Sequence, residues 1–206
     1  MPPSPILPDA LVWLDYTGIF VFAVSGALLA AEKRQTLVTF IFFAVVTGVG
    51  GGTIRDLLIG APVFWVGTNA TLAICIGAAV AVWFLSRRMI LEKALLWFDA
   101  VGLAAYATYG ASKALGYGVA PVPAFAMGVI TACTGGIIRD VLAGEPSILM
   151  RPELYVTAAA LSSGLYVVLA LFGSPPALAA LVAGMFGFAL RGAAIARGLS
   201  LPQYGR

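Results

Sequence analysis

Apolar runs of about twenty residues, each closed by a short polar gap, leave this chain very few ways to fold. They fall at about 11–31, 38–60, 66–86, 95–113, 119–143, 154–173 and 176–196. A hydrocarbon layer roughly 30 Å thick offers no hydrogen-bond partners, so each spanning segment must satisfy its own backbone as an α-helix. The expected fold class is an all-α polytopic membrane protein with seven transmembrane helices. The 95–113 run is the least clean, because Asp99 and Lys113 bracket its apolar core. Only Gly173-Ser174-Pro175-Pro176 divides the last two runs, a tight turn that sends them antiparallel. Composition agrees. Charged residues make up 10% of the chain and apolar ones 61%, where a soluble domain carries roughly 25% charged. No linker interrupts the pattern, so residues 1–206 are expected to form a single membrane domain.

The polar gaps set the orientation. With the N-terminus outside, the cytoplasmic face receives Lys33, Arg34, Arg87, Arg88, Lys93, Arg151, Arg191, Arg197 and Arg206, and the outer face only Lys113. That asymmetry follows the positive-inside rule for an odd number of spans, N-out and C-in. Arg87-Arg88 reads as an anchor on anionic membrane lipids. The net charge of +3 is thus topological and not a nucleic-acid footprint. Met1-Pro2-Pro3-Ser4-Pro5 lacks the basic start of a cleavable signal, so no removal is expected. The chain contains no histidine, which excludes histidine acid–base chemistry and histidine metal sites. Cys75 and Cys133 stand alone within apolar runs, without metal-type spacing, and read as buried structural thiols. No enzyme activity, metal or cofactor is expected.

An internal repeat at a spacing of 84 carries the most information. Asp15 and Gly18 recur as Asp99 and Gly102, and Ser25-Gly26 as Tyr109-Gly110. The segment from Thr47 to Gly60, which contains Gly50-Gly51-Gly52 and Arg55-Asp56, recurs from Thr131 to Gly144, which contains Gly135-Gly136 and Arg139-Asp140. Each copy holds three runs, 11–86 and 95–173, followed by a seventh helix at 176–196. An odd number of spans per copy means the second enters from the opposite side. Two inverted three-helix repeats place a transporter-type site at their interface, near mid-membrane.

Within each copy the middle helix carries the chemistry. Glycines inside a helix weaken it, so Gly50, Gly51, Gly52, Gly135 and Gly136 suggest a break or kink that frees backbone groups; close helix packing is the alternative. Arg and Asp inside a span cost roughly 2.5–3.5 kcal/mol each on insertion scales, so they must face protein or water. Adjacent helical residues diverge by about 100°, which argues against side-by-side neutralisation and for cross-repeat pairs, Arg55 with Asp140 and Arg139 with Asp56. In straight helices each Arg lies about 9 Å from the midplane on opposite sides, so such pairing needs a bend; otherwise each motif guards its own vestibule. Asp15 and Asp99 read as helix N-caps or as counter-ions for the Arg residues. Gly18 with Gly26, and Gly102 with Gly110, offer a face for a broken helix. Lys113, one turn after Tyr109, either lines the outer mouth or snorkels to the interface. Ala179, Ala183 and Gly187 form a ridge suited to helix contact, including oligomer contact.

The doubled glycine-rich Arg-Asp motif, the three-helix unit and the extra seventh helix resemble the prokaryotic trimeric intracellular cation (TRIC) channels, whose unit is also called the bacterial glycine-transporter domain. The resemblance covers about 11–196. It implies a homotrimer in the inner membrane with a potassium-permeable pore inside each protomer. It also implies that the bent second and fifth helices line that pore, with kinks at Gly50, Gly51, Gly52, Gly135 and Gly136 and charges at Arg55, Asp56, Arg139 and Asp140. Animal members carry a lysine-containing variant of the motif that is not present here. The second copy has Thr134 where the first has Gly50, so a milder bend is expected there. Cation preference would come from backbone carbonyls, from Thr47, Thr131 and Thr134, and from Asp56 and Asp140, while two Arg in one pathway oppose cations unless paired. A secondary transporter for a small zwitterion such as glycine is the alternative, since the Arg-Asp pair offers both charges.

Overall fold

The computed structural model describes residues 9–89 and 94–203. Seven helices follow the seven apolar runs: α1 Asp9–Glu32, α2 Leu37–Leu58, α3 Asn69–Met89, α4 Ala94–Gly116, α5 Pro121–Leu142, α6 Val156–Leu171 and α7 Pro176–Arg197. Among the described residues, four stretches are long and apolar enough to cross a membrane by length and composition: Leu11–Glu32, Leu37–Leu58, Pro121–Leu142 and Pro176–Arg197. The apolar parts of α3 and α6 are shorter. The charged α4 is longer than its apolar run, because Asp99 and Lys113 are taken up inside the helix and buried. A turn through Val63–Val66 delays the start of α3. Before α6, a 3-10 turn, Ile148–Met150, leads into extended chain where Glu153 bridges to Ser200 and Pro152 accepts from the Leu201 amide.

The helix ends obey local chemistry. Thr36 caps α2 by accepting from the Thr39 amide, and Pro121 opens α5 where a missing N–H costs nothing. Both α2 and α5 stop at an equivalent glycine in the left-handed region, Gly60 at φ 67° and Gly144 at φ 69°.

The two first helices, α1 and α4, form the buried centre. Phe22 of α1 and Tyr106 of α4, 84 positions apart, pack ring on ring at 5.3 Å. A Cβ on Gly18 would strike the Tyr106 ring, and one on Gly102 would strike the Phe22 ring. The same reciprocity joins α2 to α5. Gly51 lies against the Thr131 carbonyl, and Gly135 against the Thr47 carbonyl. Gly26 and Gly110 rest on α2 and α5 as expected, touching Thr47 and Thr131 respectively, whereas Gly18 and Gly102 instead cradle the partner copy's ring. Each of these contacts therefore has its counterpart between the equivalent residues of the other copy.

These contacts give the glycines the packing role that the sequence offered as the alternative to a break or kink. Both α2 and α5 run unbroken through their glycines, so no backbone is freed there. The glycines instead let two helices meet backbone to backbone, the packing alternative. The ridge on α7 is also internal. Ala179 and Ala183 are fully buried, and Gly187 packs on Ser162 and Ala158 of α6 within the same chain.

Lys33, between α1 and α2, pairs with Glu145, between α5 and α6, while the C-terminal tail pairs with Glu153. All three connections therefore share one end of the bundle, the end that the basic residues mark. Arg191 departs from that pattern: it turns inward and is buried. Lys93, Arg206, the Met1–Pro5 start and the side chains of Arg87 and Arg88 lie outside the described residues.

Gly51→Ala drives a methyl into the Thr131 carbonyl, whereas Gly77→Ala points into open space. Thermal unfolding in detergent should place the Gly51 variant about 1–3 kcal/mol below the parent and leave the Gly77 variant at or above it.

Candidate functional site

Each Arg-Asp motif forms the heart of a buried charge cluster near the C-terminal end of its helix. In the first cluster, Arg55 Nε donates to Asp56 Oδ1 at 2.9 Å, and Arg55 Nη2 stands 2.8 Å from the same oxygen. In the second, Arg139 Nε and Nη2 donate to Asp140 Oδ1 at 3.0 and 2.8 Å. Neighbouring residues thus do neutralise each other, against the sequence expectation. The 100° divergence applies to Cα–Cβ directions; a long Arg side chain can fold back and bring its guanidinium to the short carboxylate beside it. Among the described residues no ion pair joins Arg55 to Asp140 or Arg139 to Asp56, so the cross-repeat pairing is absent.

The second carboxylate oxygen has a structural task in both copies. Asp56 Oδ2 accepts from the Phe64 amide at 3.0 Å, and Asp140 Oδ2 accepts from the Ile148 amide at 3.0 Å. The backbone carbonyls of the same two Asp accept from Ala61 and Glu145. One residue therefore holds the cation, ends the helix and fixes the path of the returning chain.

Beyond this shared core the clusters diverge. In the first, Lys113 from α4 adds a second cation, 2.9 Å from Asp56 Oδ1 and 3.0 Å from Oδ2. The Arg55 guanidinium lies 5.2 Å from the Tyr109 ring centre, and the Phe64 ring sits 5.9 Å from Arg55 and 5.8 Å from Lys113. Lys113 therefore does not snorkel. Asp15 is buried in α1, well inside the helix and not at its cap. In the second cluster, Arg139 Nη1 donates to Asp99 Oδ1 at 2.7 Å and also to Ser25 Oγ. Asp99 is thus a counter-ion supplied by α4, and the N-cap reading fails for it.

The remaining polar candidates fall into two groups. Thr131 and Thr134 donate their hydroxyls to their own helix, to Met127 and Ile130 carbonyls. Thr47 is buried at the α2–α5 contact beside Gly26. Gly50 faces Ile138 across that contact, Gly52 receives the Phe64 ring, and Gly136 receives the Tyr155 hydroxyl. Among the described residues no group of His, Cys, Asp and Glu could hold a metal ion.

A pocket of about 200 Å³ opens on the second cluster, lined by Glu32, Arg139, Asp140, Glu145, Arg151 and Leu29 among others. Leu29 is the counterpart of Lys113, 84 positions earlier. At the first cluster the Lys ammonium occupies the place that the Leu side chain leaves uncharged. At the pocket rim, the exposed Lys33 holds the Glu145 carboxyl below its ordinary value, and Glu145 in turn raises the Lys33 ammonium. Sequence reasoning missed Phe64, Ile148, Tyr155 and the pair that buried Arg191 makes with half-buried Glu153 at 2.6 Å. The one signal available for Arg191 was its place four residues after Gly187 on the inward ridge.

The sequence model of the glycine transporter family matches this chain twice, over 12–87 and 96–171. The chain is 42% identical to a UPF0126 membrane protein of Vibrio cholerae, across 96% of this chain and 84% of that protein. It is 44% identical to the UPF0126 inner membrane protein YadS of Escherichia coli, across 71% of this chain and 72% of that protein. Among solved structures, a TRIC trimeric intracellular cation channel orthologue from Rhodobacter sphaeroides superposes with a TM-score of 0.90 at 44% identity, covering 93% of this chain and 100% of that one.

Asp56→Asn strips the counter-charge from two buried cations at once, whereas Lys113→Met removes one cation and leaves Arg55 on the carboxylate. Thermal denaturation should show a loss of about 3–5 kcal/mol for Asp56→Asn and a smaller one for Lys113→Met. The Lys33–Glu145 pair adds stability only while both groups are charged. Because the Glu145 value is lowered, its contribution is complete above the ordinary 4.5 and fades as pH falls through the lowered value. The raised Lys33 value makes the other limit: its contribution is complete below 10.5 and fades as pH rises through the raised value. The stability difference between parent and Lys33→Met, followed by thermal melts across pH, should vanish at both limits and shrink in high salt.

Proposed function

The chain belongs to the glycine transporter family, and from that premise we propose that it is a potassium-permeable cation channel with one pore inside each protomer, lined by α2 and α5. It is an integral protein of the bacterial inner membrane, and its relatives are membrane proteins and channels, not enzymes. The observation that carries the channel reading is the pairing of both intramembrane Arg residues with Asp. Two free guanidinium groups would repel a cation, but Arg55 and Arg139 are each held by a carboxylate. Among the side chains that line the pocket, Glu32, Asp140 and Glu145 outnumber Arg139 and Arg151, which leaves a negative balance there.

In this proposal the repeats, 11–86 and 95–173, are inverted, with the N-terminus outside and the C-terminus inside. The reciprocal contacts of Gly51 with Thr131 and Gly135 with Thr47 support that arrangement. Those same contacts bring α2 and α5 backbone to backbone, and in this proposal that crossing is where the pathway is shut. Conduction then requires the two helices to part between Thr47 and Asp56 and between Thr131 and Asp140, with the first cluster at the outer mouth and the second at the inner. The homotrimer and the lipid contacts complete the reading, supported by the trimeric Rhodobacter orthologue and by the exposed apolar side chains around the bundle. One observation favours a second reading. The pocket at the second cluster presents both signs of charge in a volume suited to a small zwitterion such as glycine, as an alternating-access transporter would.

Planar-bilayer recording of the purified protein decides between them. Potassium currents with discrete openings are expected, and Asp140→Ala should lower unitary current about tenfold at low salt, less at high salt. Arg55→Ala should leave current flowing and alter opening. Absence of current at every voltage, together with glycine counterflow in liposomes of the same preparation, would overturn the channel in favour of the transporter.

A further inference from the structure

Arg191 lies outside both repeats, on α7, yet it is as buried as the Arg of either motif. A buried guanidinium is costly unless it is paired. Its Nη2 donates to Glu153 Oε2 at 2.6 Å, and its guanidinium lies 5.3 Å from the centre of the Tyr155 ring. Both partners belong to the segment that connects α5 to α6. Tyr155 is fully buried, and its hydroxyl lies against Gly136, three residues before Arg139. A Cβ on Gly136 would stand 2.7 Å from that hydroxyl and 3.4 Å from Asp99 Oδ1, the oxygen that holds Arg139. Tyr155 thus stands between Arg191, which lies over its ring, and the Gly136 surface of α5 beside the Asp99–Arg139 pair, and among the described residues its buried hydroxyl makes no hydrogen bond there.

The connecting segment is held from both sides. Asp140 takes the Ile148 amide at one end. At the other, the tail beyond α7 turns back at Gly198, φ 64°, bridges Glu153 through Ser200, and donates the Leu201 amide to Pro152 at 2.7 Å. We propose that Arg191 is a positioning residue for the second charge cluster: by clamping Glu153 and Tyr155 it wedges the Tyr155 hydroxyl between α5 and α4 and keeps that end of the pathway closed. The inference deepens the channel reading and rests on the second cluster being part of the pathway. It assigns the seventh helix a task that the repeats do not supply. The ridge from Ala179 through Ala183 and Gly187 to Arg191 is what brings the charge inward, since these positions share one face at a spacing of four.

Cys133 supplies a native reporter. It is buried and free on α5, one turn before Gly136. In a Cys75→Ala background the rate of Cys133 modification by a small charged methanethiosulfonate measures how often the cluster opens. Arg191→Gln should raise that rate about tenfold, a coupling of ordinary size. Arg191→Lys, which keeps the charge but loses the planar group over the ring, should give a smaller rise, and it serves if Arg191→Gln fails to fold. Arg197→Gln, on the same helix near its end, should leave the rate at the parent value. Parent-like rates in folded Arg191→Gln and Arg191→Lys proteins would sink the proposal, as would an equal rise in Arg197→Gln. The measurement needs no conduction. A faster Cys133 reaction in a protein that passes no current would reject the channel and keep the positioning role, and current with unchanged Cys133 rates would do the reverse.

Discussion

A guanidinium buried in a bilayer-spanning helix must carry its counter-charge with it, and the rest of this molecule is arranged around that need. Arg55 and Arg139 meet it with the residue next in sequence. The carboxylate that neutralises each Arg also receives the amide eight residues further on, Phe64 or Ile148. Charge neutralisation, helix termination and chain return are therefore one local device, used twice. Removing its Asp would release a charge and a loop together.

Around this device the two copies are packed by absence of side chains. Gly51 and Gly135 admit the partner helix's carbonyls, and Gly18 and Gly102 admit the partner's aromatic ring. In lipid there is little hydrophobic force between helices, so such close backbone approach supplies much of the contact energy. The differences between copies then stand out as departures from symmetry. Lys113 replaces Leu29, Tyr109 replaces Ser25, and Phe64 replaces Ile148. Together they make one cluster aromatic and doubly cationic, and leave the other rich in carboxylates beside a pocket.

Much of this was legible in the chain. The apolar runs mark the helices because transfer of polar backbone into hydrocarbon leaves no alternative. The spacing of 84 marks the equivalent residues, and the motif residues do form the two clusters. The structure decides three further points for physical reasons. The Arg-Asp neighbours pair because side-chain length overrides the 100° between their Cβ directions. The glycines keep their helices intact because a partner helix covers them, and a covered glycine stabilises packing more than it weakens the helix. Arg191, counted with the cytoplasmic face, turns inward because Glu153 awaits it there; Lys113, open between lining the outer mouth and snorkelling, does not snorkel, because Asp56 holds it inside.

The sequence by itself determined the class of fold, the duplication and the residues that carry charge into the membrane. Those features follow from composition and period, which each short stretch of chain expresses alone. Only the tertiary structure decided who pairs with whom. Whether Arg139 finds Asp99 and Ser25, and whether Arg191 reaches Glu153 and Tyr155, depends on the rotation and approach of helices far apart in sequence. Small residues on several helices set that approach jointly, and no single segment encodes it.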